Sequence, residues 1–309
     1  MVSKKKSDIN DKSDYGDKIS KIYLTTCQKY DNYLQYFCQR FSNNNKPVFT
    51  DQEVITIYLF CTGVEHKYKI KEMYNFIKDY WLDWFPKIPS YQAFNNRLNR
   101  LSEVFKHISI EQILIGMSEQ RELSINILDS CPIVTCKGNG KGKVARDFTD
   151  KSYCSSKKMW YYGVKLHALG AYQKGTLPYL KDYIVTKASE NDLSVFKENW
   201  QELTDTCFIA DKIYQSAAVN EVLKSNNSEM ITPIKMKKNK SEVLKQRDFA
   251  FESLYNKAVS SIRQPIESFF NWLNEKTQIQ YAGKVRSNKG LFVHIFGKIA
   301  TALLFENLF

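Results

Sequence analysis

Three carboxylates stand at the ends of predicted strands or at the start of a predicted helix. Asp129 closes the apolar run that begins at Ser124, and Asp211 directly follows a second short apolar run. Glu267 lies in the first turn of a helix that we predict to open near Pro265, because proline suits the first helical position. Each carboxylate also has a structural interpretation, respectively as a turn former, a helix N-cap and an acid facing a helix dipole. Taken singly, none of the three defines a site.

Taken together, the three carboxylates predict metal chemistry. Two strands of an open sheet can bring Asp129 and Asp211 to one edge, and a neighbouring helix can add Glu267. Like charges repel at such a cluster, and a divalent cation resolves the repulsion. Mg²⁺ prefers oxygen ligands and keeps positions for water and phosphate oxygens. Two such ions about 4 Å apart activate a water and stabilise the leaving oxygen in phosphodiester chemistry. In a basic protein, this arrangement predicts the cutting or joining of nucleic acid.

The composition supports a polyanionic partner. The 309 residues include 45 Lys or Arg against 33 Asp or Glu, which gives a formal charge of +12. This balance favours nucleic acid or an anionic membrane surface. The N-terminus lacks the apolar stretch of a secretory signal, and charged residues interrupt the apolar stretch 291–309. We therefore expect a cytoplasmic protein with a packed terminal helix and no membrane partner.

The seven cysteines include no CxxC pair. An odd count without a signal peptide favours reduced thiols in the cytoplasm. Cys131, Cys136, Cys154 and His167 lie close together in sequence, but their spacing fits no common zinc pattern. Buried thiols are the preferred interpretation.

The first 120 residues are predicted to be helical after a polar, non-periodic segment at 1–17 that we interpret as a mobile arm. Within 18–120, Thr50 and Glu53 form a capping-box signature, and Ser90 resembles another N-cap. Short helices with basic faces are compatible with helix-turn-helix DNA binding and equally with a plain bundle whose charged faces are solvated. We predict a helical, DNA-binding domain over 18–120.

The periodicity changes after Glu122. Predicted strands cover 125–134, 159–171, 177–188, 207–210 and 230–232, the second and third of them forming a hairpin. Helices separate the later strands, and two strongly basic segments cover 137–158 and 235–247. The pattern predicts an α/β (α+β) domain over 121–309, with a mixed sheet and helices packed on its faces.

Four motifs of this domain resemble those of bacterial insertion-sequence transposases of the DDE class, which share a ribonuclease-H-like catalytic core. They are Asp129-Ser130-Cys131-Pro132, Tyr162-Gly163-Val164-Lys165-Leu166-His167, Ala210-Asp211-Lys212-Ile213-Tyr214 and Arg263-Gln264-Pro265-Ile266-Glu267-Ser268-Phe269-Phe270. A common form of the last motif has Tyr three residues before the arginine and Lys seven after the glutamate. The chain has Ser260 and Asn274 at those positions, with Lys276 nearby but out of register.

The resemblance implies that Asp129, Asp211 and Glu267 bind two Mg²⁺ ions, for which Mn²⁺ is a possible substitute. It implies cleavage at transposon ends that frees a 3′ hydroxyl, followed by strand transfer into target DNA. The partners would be double-stranded DNA and a second copy of the chain on paired ends, in the bacterial nucleoid. Asp192 is a competing carboxylate whose structural interpretation is a helix-start residue.

The same resemblance assigns DNA contacts to Arg263 and to exposed lysines. Lys165, Lys212 and His167 could touch the scissile phosphate, although for His167 a hydrogen-bonded sheet histidine is the preferred interpretation. Lys158 in one basic segment, and Lys237 and Lys238 in the other, would bind the DNA backbone, unless both segments are only solvated loops. Alternative functions are a non-catalytic DNA-binding derivative and a structure-specific nuclease on the same fold.

Overall fold

The computed structural model describes residues 2–38, 47–119, 125–234 and 242–309. The chain divides into two compact units. The helical unit comprises Met1–Gln112, Lys276–Ile279 and Lys284–Phe309, and the sheet unit comprises Ile113–Glu275 and Gln280–Gly283. The predicted domain over 121–309 and the sheet unit have different bounds: the sheet unit begins at Ile113, and residues 276–279 and 284–309 are grouped with the helical unit.

The secondary structure runs from helices to strands and back to helices. In chain order, the elements are α1 (Val2–Asn32), a 3₁₀ turn (Leu34–Phe37), α2 (Asp51–Gly63), α3 (Ile70–Tyr80), α4 (Tyr91–Leu98), α5 (Ser102–Glu119), β1 (Ile125–Lys137), β2 (Asp150–Cys154), β3 (Met159–Ala171), β4 (Tyr179–Lys187), α6 (Asp192–Asn199), β5 (Cys207–Ile209), a second 3₁₀ turn (Lys212–Tyr214), α7 (Ala217–Ser225), β6 (Glu229–Ile231), α8 (Glu242–Thr277) and α9 (Asn288–Leu308).

Local signals in the sequence account for the boundaries of the helical unit. The predicted capping box is present at α2: Thr50 Oγ1 accepts a hydrogen bond from the Glu53 amide at 3.2 Å, and the Thr50 amide donates to Glu53 Oε2 at 2.6 Å. Ser90 caps α4 as predicted. In α9, 67% of the most apolar window is buried inside the protein, although its length and composition would also suit a membrane span. The prediction of a packed terminal helix is confirmed.

The N-terminal segment differs from its prediction. Residues 2–17, which the composition predicts as a mobile arm, lie within α1. Charged side chains four residues apart can pair along a polar helix, as Lys18 and Asp14 do at 2.6 Å. Such pairs favour a helix without an apolar period, which is why the hydrophobic pattern does not indicate one.

In the described part of the chain, six strands form one mixed sheet in the order β2-β3-β1-β5-β6, with β4 also paired to β3. β1, β3 and β4 form an antiparallel series, whereas β5 and β6 run parallel to β1. The edge of β3 opposite β1 is shared: β2 pairs with its first half and β4 with its second half. This topology confirms the predicted mixed α/β fold with a ribonuclease-H-like core after N-terminal helices.

Two strand predictions need correction. No strand is predicted within the basic segment 137–158, yet it contains β2, which pairs with β3 from Asp150 to Cys154. β1 ends at Lys137, three residues beyond the predicted end at 134, and Asp129 lies within the strand and does not close it. Pro132 is tolerated because it lies in a gap between backbone partners: β1 pairs with β5 only up to Ile127, and its bridge to Tyr281 is made at Val134.

Helix α8 begins earlier than predicted. The sequence places a helix start near Pro265, but α8 already begins at Glu242 and contains Pro265 in its interior. An interior proline removes one hydrogen bond and costs about 3 kcal/mol. The apolar stripe after it offsets this cost, since Ile266, Phe270 and Leu273 are all buried and each such side chain contributes about 1.5–3 kcal/mol. Packing therefore overrides the local breaker.

A continuous apolar cluster lies on the face of the sheet that supports the candidate site. Phe196 of α6 packs edge-on against Phe208 of β5, with ring centroids 5.1 Å apart. Its further members include Leu128, Leu169, Trp200, Tyr214, Val219 and Leu223. Because Leu128 and Tyr214 belong to this cluster, the backbone next to Asp129 and Asp211 is held by packed side chains.

Candidate active site

Register places Asp129 and Asp211 side by side. Ile127 of β1 is the partner of Ile209 of β5 in the parallel pairing, and each aspartate follows two residues later. Side chains two residues apart along extended backbone point to the same side. The parallel strands therefore direct both carboxylates to the same side, at the place where β1 and β5 separate, and the charge of Asp211 acts on Asp129.

Arg263 of α8 connects Asp129 to Glu267. Its Nη1 donates to Asp129 Oδ2 at 2.8 Å, and its Nη2 donates to Glu267 Oε1 at 2.5 Å. The second contact joins residues four apart, one helical turn along α8. The Arg263 and Asp129 side chains are only 18% and 24% exposed, whereas Glu267 is 51% exposed. Two members of the predicted metal-binding triad, Asp129 and Glu267, are thus joined through a guanidinium, and the charge of the third, Asp211, also acts on that guanidinium.

Burial dominates the acidity of Asp129. The pKa of this carboxyl is raised from 3.8 to about 6, chiefly by burial; Arg263 and the Ser130 amide oppose the rise, and the nearby charges of Glu267 and Asp211 contribute to it. Burial also disfavours the charge on Arg263, but the three carboxylates outweigh it and raise the pKa of the guanidinium. Negative charge is therefore concentrated here, and a cation stabilises it.

Asp192 forms a second acidic position beside this cluster. Asp192 Oδ1 accepts from Lys165 Nζ at 3.0 Å and from Ser130 Oγ at 3.1 Å. The competing carboxylate is thus at the start of α6, as its structural interpretation predicts, and also faces the strand that carries Asp129. Tyr214, a buried residue, lies near all of these acids. The pKa of its phenol is raised mainly by burial and further by the charges of Asp192, Asp129 and Asp211.

His167 has the surroundings of a sheet histidine. Its ring is buried and shares a hydrogen bond of 2.9 Å between Nε2 and Thr186 Oγ1 on the neighbouring strand β4. Nδ1 lies 3.4 Å from Asp192 Oδ1, but the geometry does not make a hydrogen bond. Burial lowers the pKa of His167 to about 4, so the ring is neutral near pH 7.

The predicted DNA contacts are distributed unequally. Lys212 is exposed directly after Asp211, and Lys158 is exposed in the turn between β2 and β3. Lys165 is only 17% exposed and is held by Asp192. Arg263 is engaged by the carboxylates described above. Lys237 and Lys238 lie outside the described residues.

The positions that depart from the common motif have other contacts. Asn274 occupies the place of the expected lysine, and its Oδ1 accepts from the Gln280 amide at 3.2 Å, at the turn that follows α8.

Asp211 caps the 3₁₀ turn after β5 by accepting from the Lys212 amide at 2.7 Å. Its capping role, which the sequence suggests, and its place in the cluster are therefore compatible.

The donor set suits a hard divalent cation. Asp129, Asp211 and Glu267 offer carboxylate oxygens, which such ions prefer. Within the residues that the structure describes, no group of three or more His, Cys, Asp or Glu side chains is gathered closely enough to bind a metal as it stands. Arg263 instead provides the positive charge between Asp129 and Glu267.

Comparison with protein families identifies the class. Residues 119–287 match the model of a transposase DDE domain. The match covers more than half of the 309 residues, and the chain belongs to the family of DDE-domain transposases. Domains of this family generally use divalent metals, which agrees with the carboxylate donors found here.

Other comparisons add little. The crystal structure of a pre-cleavage Mos1 transpososome is similar at 12% sequence identity over 90% of this chain and 87% of that chain, with a TM-score of 0.20. A TM-score this low is not evidence of a shared fold or function. The search of curated proteins gives no match.

Proposed function

We propose that this chain is a metal-dependent DNA transposase that cleaves strands at transposon ends and joins them to target DNA. The observation that carries the proposal is the convergence of Asp129, Asp211 and Glu267 from β1, the end of β5 and α8 around Arg263. Family membership supplies the reaction class. The carboxylate cluster supplies a place for it.

The proposed metal is Mg²⁺, as two ions held by Asp129, Asp211 and Glu267, with Mn²⁺ as a substitute. When bound, the ions supply activation of the attacking oxygen and stabilisation of the leaving oxygen. Asp129 and Asp211 are well placed to share one ion, since register brings them together. Of the two carboxylates that Arg263 contacts, Glu267 is the more exposed, so its side chain can exchange Arg263 for a cation more readily than Asp129 can.

The chemistry consists of two displacements at phosphorus. In the first, a water oxygen bonds to phosphorus, the bond to the 3′ oxygen breaks, and that oxygen takes up a proton to become a 3′ hydroxyl. In the second, this hydroxyl gives its proton to solvent and its oxygen bonds to a phosphorus of target DNA; the bond from that phosphorus to the target 3′ oxygen breaks, and the released oxygen takes up a proton to become a 3′ hydroxyl. Lys212, exposed beside Asp211, is positioned to contact a backbone phosphate.

The proposed partners are double-stranded DNA at the transposon ends and in the target, with two copies of the chain on paired ends. The net charge of +12 supports binding to a polyanion and makes the affinity fall steeply with salt. We propose the bacterial nucleoid as the place of action.

The test is cleavage of DNA that carries the sequences flanking the coding region, with Mg²⁺. Asp129→Asn and Asp211→Asn are expected to abolish both cleavage and strand transfer, while the control Glu221→Gln, an exposed acid of α7, retains them. Normal cutting by both aspartate variants would show that the site is wrong, and full activity in EDTA would refute the metal mechanism. Binding without cleavage by the unsubstituted chain supports a non-catalytic derivative. Cleavage without joining supports a structure-specific nuclease.

A further inference from the structure

An exposed aromatic pair lies on the outer face of the β2–β3 hairpin. Tyr153 of β2 and Trp160 of β3 are register partners, and their ring centroids are 5.3 Å apart. Tyr153 is 49% exposed and Trp160 is 55% exposed. The next residue, Tyr161, points to the opposite face and is buried. The two large rings are therefore exposed to solvent on one face of the hairpin, while the opposite face of β3 is buried in the core.

A lysine accompanies the two rings. Lys151 precedes Tyr153 by two residues and therefore shares its face of β2. The Lys151 Nζ lies 5.5 Å from the centre of the Trp160 ring and 5.8 Å from that of Tyr162, its register partner. A cation held at this distance from ring faces is an arrangement that also suits a ligand with both a flat ring and a negative charge.

Glycines keep the space beside Trp160 open. The Gly138 amide donates to the Trp160 carbonyl at 2.8 Å, and a Cβ on Gly138 would come within 2.6 Å of that same oxygen. Gly142, at φ +52°, lies against the Tyr162 ring, where a Cβ would come within 2.4 Å. The loop backbone therefore covers Tyr162 but leaves Trp160 uncovered. An open depression of about 460 Å³ results, lined by Lys137, Gly138, Asn139, Lys151, Met159 and Trp160.

The charge around this depression is strongly positive. Residues 137–158 contain two acids, Asp147 and Asp150, and Asp150 is engaged by the amide and hydroxyl of Ser189. The same segment contains seven basic residues, all exposed: Lys137, Lys141, Lys143, Arg146, Lys151, Lys157 and Lys158. Two of these lysines, Lys137 and Lys151, line the depression beside Trp160. Cations next to exposed aromatic side chains favour a nucleic acid over a neutral or basic protein surface.

We propose that the β2–β3 platform, defined as Lys137, Lys151, Tyr153 and Trp160, binds an unpaired nucleotide of DNA. The base stacks on Trp160 and Tyr153, and the lysines contact the adjacent phosphates. A paired duplex hides its base faces within the stack, so the platform selects single-stranded or locally opened DNA. The inference extends the proposed function by a second DNA contact, but it does not depend on the carboxylates or on a metal.

The test measures binding in EDTA, so that failure of catalysis cannot affect the result. The probes are a labelled oligothymidine and a fully paired hairpin of similar length. Base–aromatic stacking contributes about 1–3 kcal/mol per base, which corresponds to an affinity change of about 5- to 150-fold. Trp160→Ala is expected to weaken oligothymidine binding by that factor and to leave hairpin binding unchanged, while Trp160→Phe retains most of the affinity. Phe309→Ala, at an aromatic residue that is 56% exposed and lies outside every segment assigned to DNA, is the control.

A second variant separates charge from stacking. Lys151→Gln is expected to reduce by about 0.7 the slope of log affinity against log salt for the single-stranded oligothymidine, whereas Trp160→Ala leaves this slope unchanged. Equal loss of hairpin and oligothymidine affinity in Trp160→Ala, or no loss of either, would overturn the proposal. A change in self-association with unaltered DNA affinity would assign the surface to a second copy of the chain and overturn it as well.

Photocrosslinking keeps the proposal testable should the variants not fold. An oligothymidine that contains iodouracil is irradiated with the unsubstituted protein, and the crosslinked peptide is mapped. Attachment to Trp160 or Tyr153 is expected. Crosslinks confined to residues outside β2 and β3 would count against the platform.

Discussion

Replacing Asp129 by Asn is expected to change how the stability of the metal-free protein depends on pH. The pKa of Asp129 is raised from 3.8 to about 6, because burial outweighs the opposing effect of Arg263. The folded chain therefore retains a proton that the unfolded chain loses near pH 3.8. The stability from this group is complete below pH 3.8 and is lost as the pH rises to about 6.

The size of the effect follows from the shift. A change of 6 − 3.8 = 2.2 in pKa corresponds to about 3 kcal/mol, at about 1.4 kcal/mol per unit. The Asp129 side chain is 24% exposed, so solvent screens part of this energy. We expect a measured contribution of about 1–3 kcal/mol.

The assay is urea unfolding in EDTA at a series of pH values, for the unsubstituted chain and for Asp129→Asn. Subtracting the two free energies of unfolding cancels the groups that titrate alike in both. The variant should gain about 1–3 kcal/mol relative to the unsubstituted chain between pH 3.8 and about 6, with no further change above. Glu221→Gln provides the baseline. A difference that does not vary with pH, or that varies in the opposite direction, would refute the reasoning.

Three further predictions follow from the described contacts. Excess Mg²⁺ should raise the thermal midpoint of the unsubstituted chain more than that of Asp129→Asn, because an ion that binds only the folded state stabilises it; equal shifts would contradict the donor assignment. Lys298→Met should stabilise the protein by about 1–4 kcal/mol below pH 7 and by less at higher pH. Burial lowers the pKa of Lys298 to about 7, so below that pH the buried side chain is charged and destabilises the fold. Urea unfolding at one pH below 7 and one above it measures this difference, and an equal gain at both would contradict it. Thr50→Ala should lower the urea midpoint by an amount equivalent to about 1 kcal/mol without changing the slope, since it removes the α2 cap; an unchanged midpoint would show that the cap contributes nothing.

Hydrophobic periodicity and local capping signals are sufficient to predict the order of most elements. They predict β3 to the residue, the capping box at Thr50, and the mixed sheet. The buried stripe Ile266–Leu273 was also recognisable, because apolar residues spaced three and four apart form one helical face.

The remaining features depend on contacts that are distant in sequence. Pro265 indicates a helix start by local rules, and only the packing of the stripe after it keeps α8 continuous. Lys151 and Tyr153 alternate over too few residues to indicate a strand until β3 is available as a partner. Arg263 contacts Asp129 although the two residues are 134 positions apart in the sequence. Local sequence patterns carry no information about contacts over that separation.

The divided edge of β3 has a consequence for how such a chain can change over generations. β4 supports the half of β3 from Val164 to Ala171, which lies opposite Asp129, while β2 occupies only the half from Met159 to Gly163. A change in the length or charge of the β2–β3 hairpin therefore leaves the β1–β3 and β3–β4 pairs next to Asp129 in register. Under the proposed DNA contact, mutation of the hairpin can alter which DNA it favours without changing the strand pairs that carry Asp129.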